Sequence, residues 1–390
     1  MKNFNYLLIN VVQTLLRVFP FPRRTGLVKI GNPGRNAPVL LTGNFRLTVE
    51  RVRRALEGID AYLLVANSRG VNVWCAATGG HLTNHDVVSV LKTSGIAELV
   101  DHRRVILPQL AATGVEGKVV HHKTGWSVVW GPVYARSIPE FLGSSLQKTP
   151  EMRTVSFVWP QRLEMAVAWA FPISLLSLLA LPFWKEGVLP LVGFVWGAAV
   201  VIFLTFPLYE GYLRTNQESV GLIFFDFGKH GVPLFLWVFF MLGLVGCSMV
   251  AGEFSWGLVF RWGLSSLVVL VILGLDLMGS TPTYKSGLHE DRLLCIELDA
   301  DGCRGAGFCE QVCPTNVFEV DHDRGLASLP RAGDCVQCGA CIVQCPFDAL
   351  QFRSPNGDVV APDTIRRFKL NLLGSRKVVA RRTDIPNSCS

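Results

Sequence analysis

Four cysteines in the last quarter of this 390-residue chain constrain its fold more than any other feature. Residues 335–346 read Cys-Val-Gln-Cys-Gly-Ala-Cys-Ile-Val-Gln-Cys-Pro, which is a C-x2-C-x2-C-x3-C-P spacing. Thiolates at this spacing hold iron–sulfur clusters, and in proteins with two clusters the fourth cysteine ligates the neighbouring one. The run therefore predicts an iron–sulfur domain that carries electrons.

A second set of cysteines lies just upstream and is incomplete. Cys303, Cys309 and Cys313-Pro314 keep the same frame, but Ala306 occupies the position of the second cysteine. With both sets, segment 285–365 resembles a small α+β ferredoxin of the bacterial two-cluster type. The resemblance covers only this part of the chain.

The crossing of the fourth cysteine assigns the ligands to two clusters. One [4Fe-4S] cluster is expected on Cys313, Cys335, Cys338 and Cys341. The second is left with Cys303, Cys309 and Cys345, so it is predicted to be a [3Fe-4S] cluster, or a [4Fe-4S] cluster with an open corner at Ala306. Two alternatives stay open: this second site is empty, or Cys295 substitutes for the missing ligand.

The middle of the chain is apolar enough to predict a membrane domain. Half of all residues are hydrophobic, and four apolar runs, near 163–184, 188–209, 233–251 and 255–278, each approach the length that crosses a bilayer as helix. Residues 159–284 are therefore predicted to form an all-α transmembrane domain of about four helices, with buried soluble helices as the alternative. The stretch from Val220 to Phe227 is a candidate re-entrant or interfacial helix.

An even number of spans places both flanking domains on one side of the membrane. Basic residues flank the outer ends of the apolar region (Arg153, Arg162, Lys285, Arg292), which favours the cytoplasmic side. We therefore expect a protein of the cytoplasmic membrane with both soluble domains in the cytoplasm. The basic tail, 366–390, is expected to be solvated or to touch lipid.

Residues 1–158 have the pattern of an α/β domain preceded by an interfacial or packing helix in 1–25. Strands are predicted at 38–41, 61–65, 71–75, 118–121 and 127–130, and helices at 47–56 and 84–91, which indicates a doubly wound or related sheet. This part carries 19 Lys and Arg against 9 Asp and Glu. No nucleic-acid-binding motif accompanies the basic charge, so no nucleic-acid partner is expected.

The segment Asn72-Val73-Trp74-Cys75-Ala76-Ala77 lies where a strand is predicted to end before a helix, a usual ligand position in open α/β sheets. From the residues alone, Cys75 is either a ligand or a buried packing residue. His81, His85 and His121 are alternative metal ligands or exposed histidines.

Further motifs connect this segment to a known family. Gly26–Leu142 resembles the corrinoid-binding domain of the mercury-methylating corrinoid protein, which is related to the large subunit of the corrinoid iron–sulfur protein. The matching stretches are Lys29–Pro33, Pro38–Asn44, Gly58–Tyr62, Asn72–Ala77, Leu107–Leu110, Gly131–Val133 and Ile138–Leu142. That family continues into a membrane domain, and its partner is a two-cluster ferredoxin, which is here fused to the C-terminus.

The resemblance implies a chemistry. Cys75 would be the catalytic residue and lower axial ligand of a base-off, cobalamin-like corrinoid, contacted by Asn72, Val73, Trp74, Ala76 and Ala77. The protein would pass a methyl group to Hg(II) or to another soft metal or thiol acceptor. A methyltransferase of the methyl-tetrahydrofolate type would reload the cobalt, and an upstream electron donor would supply the clusters that reduce it.

Three departures from the family pattern weaken mercury as the substrate. Thr78-Gly79-Gly80 replaces Gly-Lys-Gly, Ala306 replaces a cysteine, and only Cys389 stands near the C-terminus, where the partner ferredoxin has paired cysteines. Two other functions remain possible. One is a membrane-bound iron–sulfur electron-transfer protein without corrinoid chemistry, and the other is a sensor or metal-handling protein that uses Cys389 and the open corner.

Overall fold

A computed structural model of the chain describes residues 2–17, 19–213, 227–276, 294–354 and 357–368. These residues form two units. One contains the N-terminal helix and the apolar helices of the middle region, and the other contains every strand in the described residues. Most of the candidate re-entrant segment, and the tail beyond residue 368 with Cys389, lie outside the described residues.

A five-stranded sheet forms the centre of the strand-containing unit. Its strands are β1 Gly26–Ile30, β2 Val39–Gly43, β3 Ala61–Ala66, β4 Arg104–Leu107 and β5 Ser127–Trp130, in the order β1-β3-β2-β4-β5. β3, β2, β4 and β5 are parallel, and β1 is antiparallel to β3 at the edge. Every residue of β2 and β3 is buried, as expected for inner parallel strands covered on both faces.

Helices cover both faces of this sheet, which confirms the predicted α/β class. α2 Arg46–Ala55 and α7 Ile138–Gly143 pack on the face that includes Leu40 and Leu63. α3 Val73–Thr78, α4 Asn84–Thr93 and α6 Gly117–Thr124 pack on the opposite face. α5 Ile96–Leu99 and α8 Pro150–Arg153 are single turns.

The strand order creates one reversal point. The chain moves from β2 to β3 in one direction and then crosses back over β2 to β4 and on to β5. Right-handed crossovers place the helices of opposite directions on opposite faces, so the loops after β2 and β4 diverge. In sheets of this type, ligands bind outside the carboxyl ends of the strands at that divergence.

Two strands predicted from the sequence are helices in the structure. Residues 71–75 were predicted to be a strand, but Asn72 caps α3, which begins at Val73. Residues 118–121 were predicted to be a strand, but they lie in α6, the crossover between parallel β4 and β5, which ends at Gly125 with φ +73°. These apolar runs are too short for helical periodicity to be told from strand periodicity. Their secondary structure is therefore decided by the elements around them.

The iron–sulfur region has two similar halves. α14 Phe308–Val312 and α15 Ala340–Gln344 each follow a glycine with positive φ, Gly307 at +76° and Gly339 at +74°. Strands β6 Cys295–Leu298, β9 Leu350–Arg353 and β10 Val359–Val360 form an antiparallel sheet, and β7 Glu319–Asp321 and β8 Leu326–Ser328 form a hairpin. With α16 Pro362–Phe368, this is the predicted small α+β arrangement.

The iron–sulfur region and the α/β region share one hydrophobic core. Val312 and Ala340 belong to the same buried cluster as Ala76 and Leu82 of the α/β region. Gln344, which is buried, donates from Nε2 to the carbonyl oxygens of Ala112 (2.7 Å) and Val115 (2.6 Å) and accepts from the Gly117 N–H (3.1 Å). One side chain thus satisfies three backbone groups of the segment between β4 and α6.

The apolar helices form the second unit. α9 Trp159–Ser177, α10 Lys185–Leu204, α12 Phe227–Val250 and α13 Trp256–Asp276 are accompanied by the shorter α11 Phe206–Leu213. Within the described residues, four helices are long and apolar enough to cross a membrane, by length and composition. Their inner faces pack through aromatic rings, including Trp184 against Trp262 with centroids 5.2 Å apart. Helix α1 Lys2–Leu15 packs against α9, and nearby Arg17 pairs with Glu164 at 3.5 Å.

We predict that Gln344→Leu destabilises the strand-containing unit by about 2 to 3 kcal/mol, because the buried groups it serves lose their partners. The matched control is Gln351→Leu, since the Gln351 side chain is half-buried and, among the described residues, donates to the Glu297 side chain alone (3.1 Å). Its cost should stay below about 1 kcal/mol. Thermal unfolding of the detergent-solubilised full chain measures both variants. Equal shifts would show that Gln344 does not hold the two regions together.

Candidate functional site

Cys75 lies in the first turn of α3, beyond the carboxyl end of β3, and its side chain is half-buried. Asn72 holds this turn with both ends of its amide. Its Oδ1 accepts from the Cys75 N–H (2.9 Å), and its Nδ2 donates to the Cys75 Sγ (3.3 Å). The sulfur is therefore an acceptor in a fixed position, which suits a thiolate that also binds a metal.

The other members of the predicted contact segment have unequal exposure. Val73, Ala76 and Ala77 are buried, and Val73 and Ala76 belong to the core cluster under α3. Trp74 is half-buried, as Cys75 is. The buried residues attach the helix to the sheet, so Asn72, Trp74 and Cys75 are the members with surface left for a ligand. Contact of this segment with a cofactor stays a prediction.

The loops after β2 and β3 are connected by a polar side chain that the sequence patterns did not single out. Asn44 Oδ1 accepts from the N–H groups of Ser68 and Gly70, both at 2.9 Å. Thr42, at the end of β2, is buried and its Oγ1 has no hydrogen-bond partner. An unsatisfied buried hydroxyl is costly, and this one lies near the carboxyl end of the inner strand β2. The sequence signal that could have identified Asn44 is a polar residue directly after a buried strand.

Gly114 fixes the other end of α3. A Cβ on Gly114 would lie 2.6 Å from both the Ala77 and Leu82 carbonyl oxygens. The backbone after β4 therefore touches the backbone that follows Cys75, with no room for a side chain. Gly79 is similarly tight, since its Cβ would lie 2.7 Å from the Cys75 carbonyl oxygen.

Gln109 links the α/β region to a predicted cluster ligand. It lies in the 3-10 turn Gln109–Ala111 after β4, is fully buried, and donates from Nε2 to the carbonyl oxygens of Arg153 (2.7 Å) and Cys313 (3.2 Å). The same turn contacts α3 and α14. Sequence patterns could not assign this role, because the bonded residues are 204 positions apart.

Two charged residues add to this connection. Lys148 donates from Nζ to Gln109 Oε1 (2.8 Å), to the Gly131 carbonyl oxygen (3.2 Å) and to the Gln311 carbonyl oxygen (2.6 Å). Arg153 pairs with Glu310 at 2.8 Å in a largely buried position. Burial, with a smaller contribution from the charge of Arg153, lowers the pKa of Lys148 to about 7.

The thiol neighbours of the cluster cysteines follow the two predicted groups in part, since Cys341 is influenced by Cys309 as well as by Cys338, Cys335 and Cys313. Burial raises the pKa of Cys309 to about 12, and neighbouring Cys345 and Cys303 add to the shift. Burial also raises the pKa of Cys338, whose thiol neighbours are Cys313 and Cys335. These neighbours match the crossing rule, although the ligand assignment itself stays a prediction. Buried thiols resist ionisation unless a cation replaces the proton, which suits ligands of iron.

A cavity lies at the incomplete set. Cys303, Cys309 and Cys345 line it together with Ala306, and its empty volume, including the opening to solvent, is about 350 Å³. Cys295 lies on β6 and is not among the lining residues, so the structure does not place it as the substitute ligand. The donor set of three sulfurs around an open space fits a cluster with one corner lacking a cysteine. In the described residues, no three His, Cys, Asp or Glu side chains surround a single ion position.

Comparisons with known sequences match both regions of this unit. Residues 14–142 match the family described as "CO dehydrogenase/acetyl-CoA synthase delta subunit", and residues 301–349 match "4Fe-4S dicluster domain". The second match confirms the predicted two-cluster iron–sulfur domain. The first covers the α/β region that contains Cys75.

Curated relatives match about a third of the chain. The acetyl-CoA decarbonylase/synthase complex subunit gamma of Methanopyrus kandleri is 40% identical over 119 residues, 30% of this chain and 25% of the relative. The same subunits of Methanocaldococcus jannaschii (37% over 125 residues, 32% and 25%) and Archaeoglobus fulgidus (36% over 125 residues, 32% and 26%) are also similar. The chain thus spans about a quarter of the length of these relatives, and none of their names mentions mercury.

We predict that Gly114→Ala destabilises the unit by about 1 to 3 kcal/mol, because the new methyl group meets two backbone oxygens that cannot rotate away. Gly143→Ala, at the end of α7, is the matched control because a Cβ there meets nothing within 4 Å. Thermal unfolding measures stability, and the rate of Cys75 alkylation reports whether α3 has moved. An unchanged alkylation rate in Gly114→Ala would contradict a positioning role for this contact.

Lys148 predicts a pH dependence of stability. Its pKa is about 7 in the folded chain, whereas an unfolded lysine keeps its proton to above pH 10. Between these values the unfolded state binds more protons, so stability rises with pH. Relative to Lys148→Met, the intact chain should gain about 2 kcal/mol between pH 7 and pH 9, with exposed Lys123→Met as control. If the stability difference between the intact chain and Lys148→Met does not change with pH, Lys148 stays charged in the folded chain.

Proposed function

We propose that this chain is a membrane-anchored corrinoid methyl-transfer protein whose reductant is part of the same polypeptide. One observation carries the proposal: the 3-10 turn Gln109–Ala111 contacts both α3, which holds Cys75, and α14, which precedes Cys313. The predicted cobalt ligand and a predicted cluster ligand are therefore neighbours of one rigid turn. An electron carrier with no role at the α/β site would not require this arrangement.

The residues of the α/β region fit a cofactor at the carboxyl ends of the strands. In the proposal Cys75 is the lower axial ligand of a base-off corrinoid, and the Asn72 amide positions its sulfur. The half-buried Trp74 side chain is available for contacts with the macrocycle. When bound, the corrinoid supplies a cobalt that carries a methyl group, and the clusters supply low-potential electrons that restore it.

The iron–sulfur region contributes one face to this arrangement. Cys338, with its neighbour Ala340, packs against the core that contains α3. Gln109 binds the Cys313 carbonyl oxygen. Cys303, Cys309 and Cys345 line the cavity that opens at Ala306, and Cys309 shares one buried cluster with Cys313, Cys335 and Cys341. The cluster of Cys313, Cys335, Cys338 and Cys341 is therefore proposed to be the one next to the α/β region.

Membrane anchoring is supported by the outer surfaces of the apolar helices. Leu189, Phe239 and Phe260 are 79%, 71% and 70% exposed and belong to three different candidate spans. Such surfaces require lipid or another apolar partner. The proposed cytoplasmic orientation depends on the flanking basic residues, of which Arg153 is neutralised by Glu310 and Arg162 donates to the Leu204 carbonyl oxygen (2.8 Å).

The proposed acceptor is Hg(II) or another soft metal ion, which would act as an electrophile, or a thiol, which would act as a nucleophile. A separate methyltransferase of the methyl-tetrahydrofolate type is proposed to load the cofactor, and an upstream carrier to reduce the clusters. Partnership with other subunits is supported by the relatives, which are subunits of a complex by name.

A second candidate is a membrane-bound electron-transfer protein without corrinoid. Position 79 favours this second candidate, because the family motif has lysine there and this chain has Gly79. A Cβ added to Gly79 would lie 2.7 Å from the Cys75 carbonyl oxygen. The turn after α3 therefore has no room for the family's side chain.

The deciding experiment loads the full chain, purified anaerobically in detergent, with methylcorrinoid and then adds Hg(II). We expect one cobalt per chain and formation of methylmercury, with both reduced at least tenfold in Cys75→Ala but not in exposed Cys247→Ala. Thiol acceptors are assayed in parallel to separate a different acceptor from no transfer. If the reconstituted chain contains iron but no cobalt, the corrinoid proposal is wrong and the electron-transfer function remains.

A further inference from the structure

The incomplete cluster site lacks a fourth ligand within its own wall. The cavity is lined by three cysteines, by Ala306 and by apolar residues, with Arg304 as the remaining polar side chain. A guanidinium stays protonated and has no lone pair to offer a metal. Any protein ligand for a fourth iron must therefore come from a neighbouring element, and Ala306 is itself exposed, so the open corner can be reached from the surface.

The hairpin β7–β8 lies directly over the loop that lacks the cysteine. Ala327 of β8 lines the cavity. A Cβ on Gly305, where φ is +62°, would lie 2.6 Å from the Gly325 Cα, so the two backbones are in contact. A Cβ on Gly307 would lie 3.4 Å from the His322 Cε1. The turn of the hairpin thus brings an imidazole next to the residue that follows Ala306.

We propose that His322 is the fourth protein ligand of the second cluster. Imidazole ligates iron in proteins, and in Rieske centres histidine replaces cysteine on one iron of the cluster. The ring is exposed and, within the described residues, makes no hydrogen bond or ion pair that would hold it elsewhere. It is not part of the cavity wall, so ligation requires rotation about its side-chain torsions. A neutral imidazole binds through a ring nitrogen lone pair, and no electron transfer is needed.

The carboxylates of the same turn are less suitable. Asp321 Oδ1 accepts from the N–H groups of Asp323 and Arg324, both at 3.0 Å, and its other oxygen lies 3.5 Å from the Arg324 Nε. This carboxylate therefore stabilises the turn that presents His322. Asp323 is exposed and is the matched control for a general effect of the turn.

Histidine ligation has a measurable consequence for the cluster. A neutral imidazole in place of a thiolate makes the cluster one charge more positive, which raises its reduction potential. The second cluster should therefore differ from the all-cysteine cluster in potential and in its magnetic resonance spectrum. Ala306→Cys should remove both differences by restoring a thiolate.

The test uses the full chain in detergent, reconstituted anaerobically with iron and sulfide and without corrinoid, so its outcome is independent of methyl transfer. After reduction, pulsed electron paramagnetic resonance of protein labelled with 15N-histidine should show nitrogen coupling to one of two clusters. His322→Ala should lose the coupling and give a three-iron cluster on oxidation, whereas Asp323→Ala should keep the coupling. Ala306→Cys should lose the nitrogen coupling although His322 is present, because the new thiolate takes the fourth position. His322→Cys should keep four irons at the site and show no nitrogen coupling.

Three results would overturn the proposal: coupling absent from the intact chain, coupling that survives His322→Ala, or iron for only one cluster after reconstitution. A four-iron cluster without nitrogen coupling would indicate water or a carboxylate at the corner. Each of these outcomes leaves the corrinoid proposal to its own experiment, because Cys75 has no part in the measurement.

Discussion

Two buried amide side chains, Gln109 and Gln344, join the iron–sulfur region to the α/β region, and the arrangement of the proposed site depends on them. Between them they bond to the backbone at Ala112, Val115, Gly117, Arg153 and Cys313. Each of these groups would be costly if buried without a partner. Since the same backbone segment touches α3 through Gly114, the position of Cys75 relative to the iron–sulfur region follows from this polar interface. An interface of apolar contacts alone would leave more freedom in register, because apolar packing is non-directional.

The chain connectivity adds a constraint on the apolar helices. The chain leaves the sheet-containing unit after residue 155 and returns to it at residue 294. At the first of these points, the Val155 N–H donates to the Pro314 carbonyl oxygen at 2.8 Å. The two ends of the inserted segment therefore belong to one folded body. If the helices cross a bilayer, they must do so an even number of times, and the four candidate spans among the described residues agree with this requirement. The insertion also explains why a domain order read along the sequence, α/β then membrane then iron–sulfur, differs from the grouping in space.

What the sequence could predict follows from the range over which each signal acts. β3 and α4 were predicted within a few residues because an apolar run and a capping residue are local signals, and the cysteine frames depend on spacing alone. α3 and α6 were missed because Val71–Cys75 and Lys118–His121 are too short to have a distinctive period, so the sheet crossover decides their structure. Edge strand β1 and β4 were not predicted either. Gln109, Lys148 and Gln344 had no sequence signal, because their partners lie far along the chain and a buried amide has no motif.

Two of the three departures from the resembled family occur at the two proposed cofactor sites, and the third, at Cys389, lies outside the described residues. At Gly79 the turn closes on the Cys75 carbonyl oxygen, and at Ala306 the cavity keeps three cysteines and opens to solvent. If the second cluster had been lost, we would expect a collapsed cavity with unpaired buried polar groups, since nothing would maintain the ligand residues. Instead, the glycines with positive φ at 305 and 307 still shape the ligand loop, and the hairpin above it places His322 beside the gap. This arrangement is easier to reconcile with a changed ligand set than with a lost cluster, because the three cysteines still line one cavity. Under this proposal the two clusters differ, because Cys338 packs against the core of the α/β region and the second site opens at Ala306.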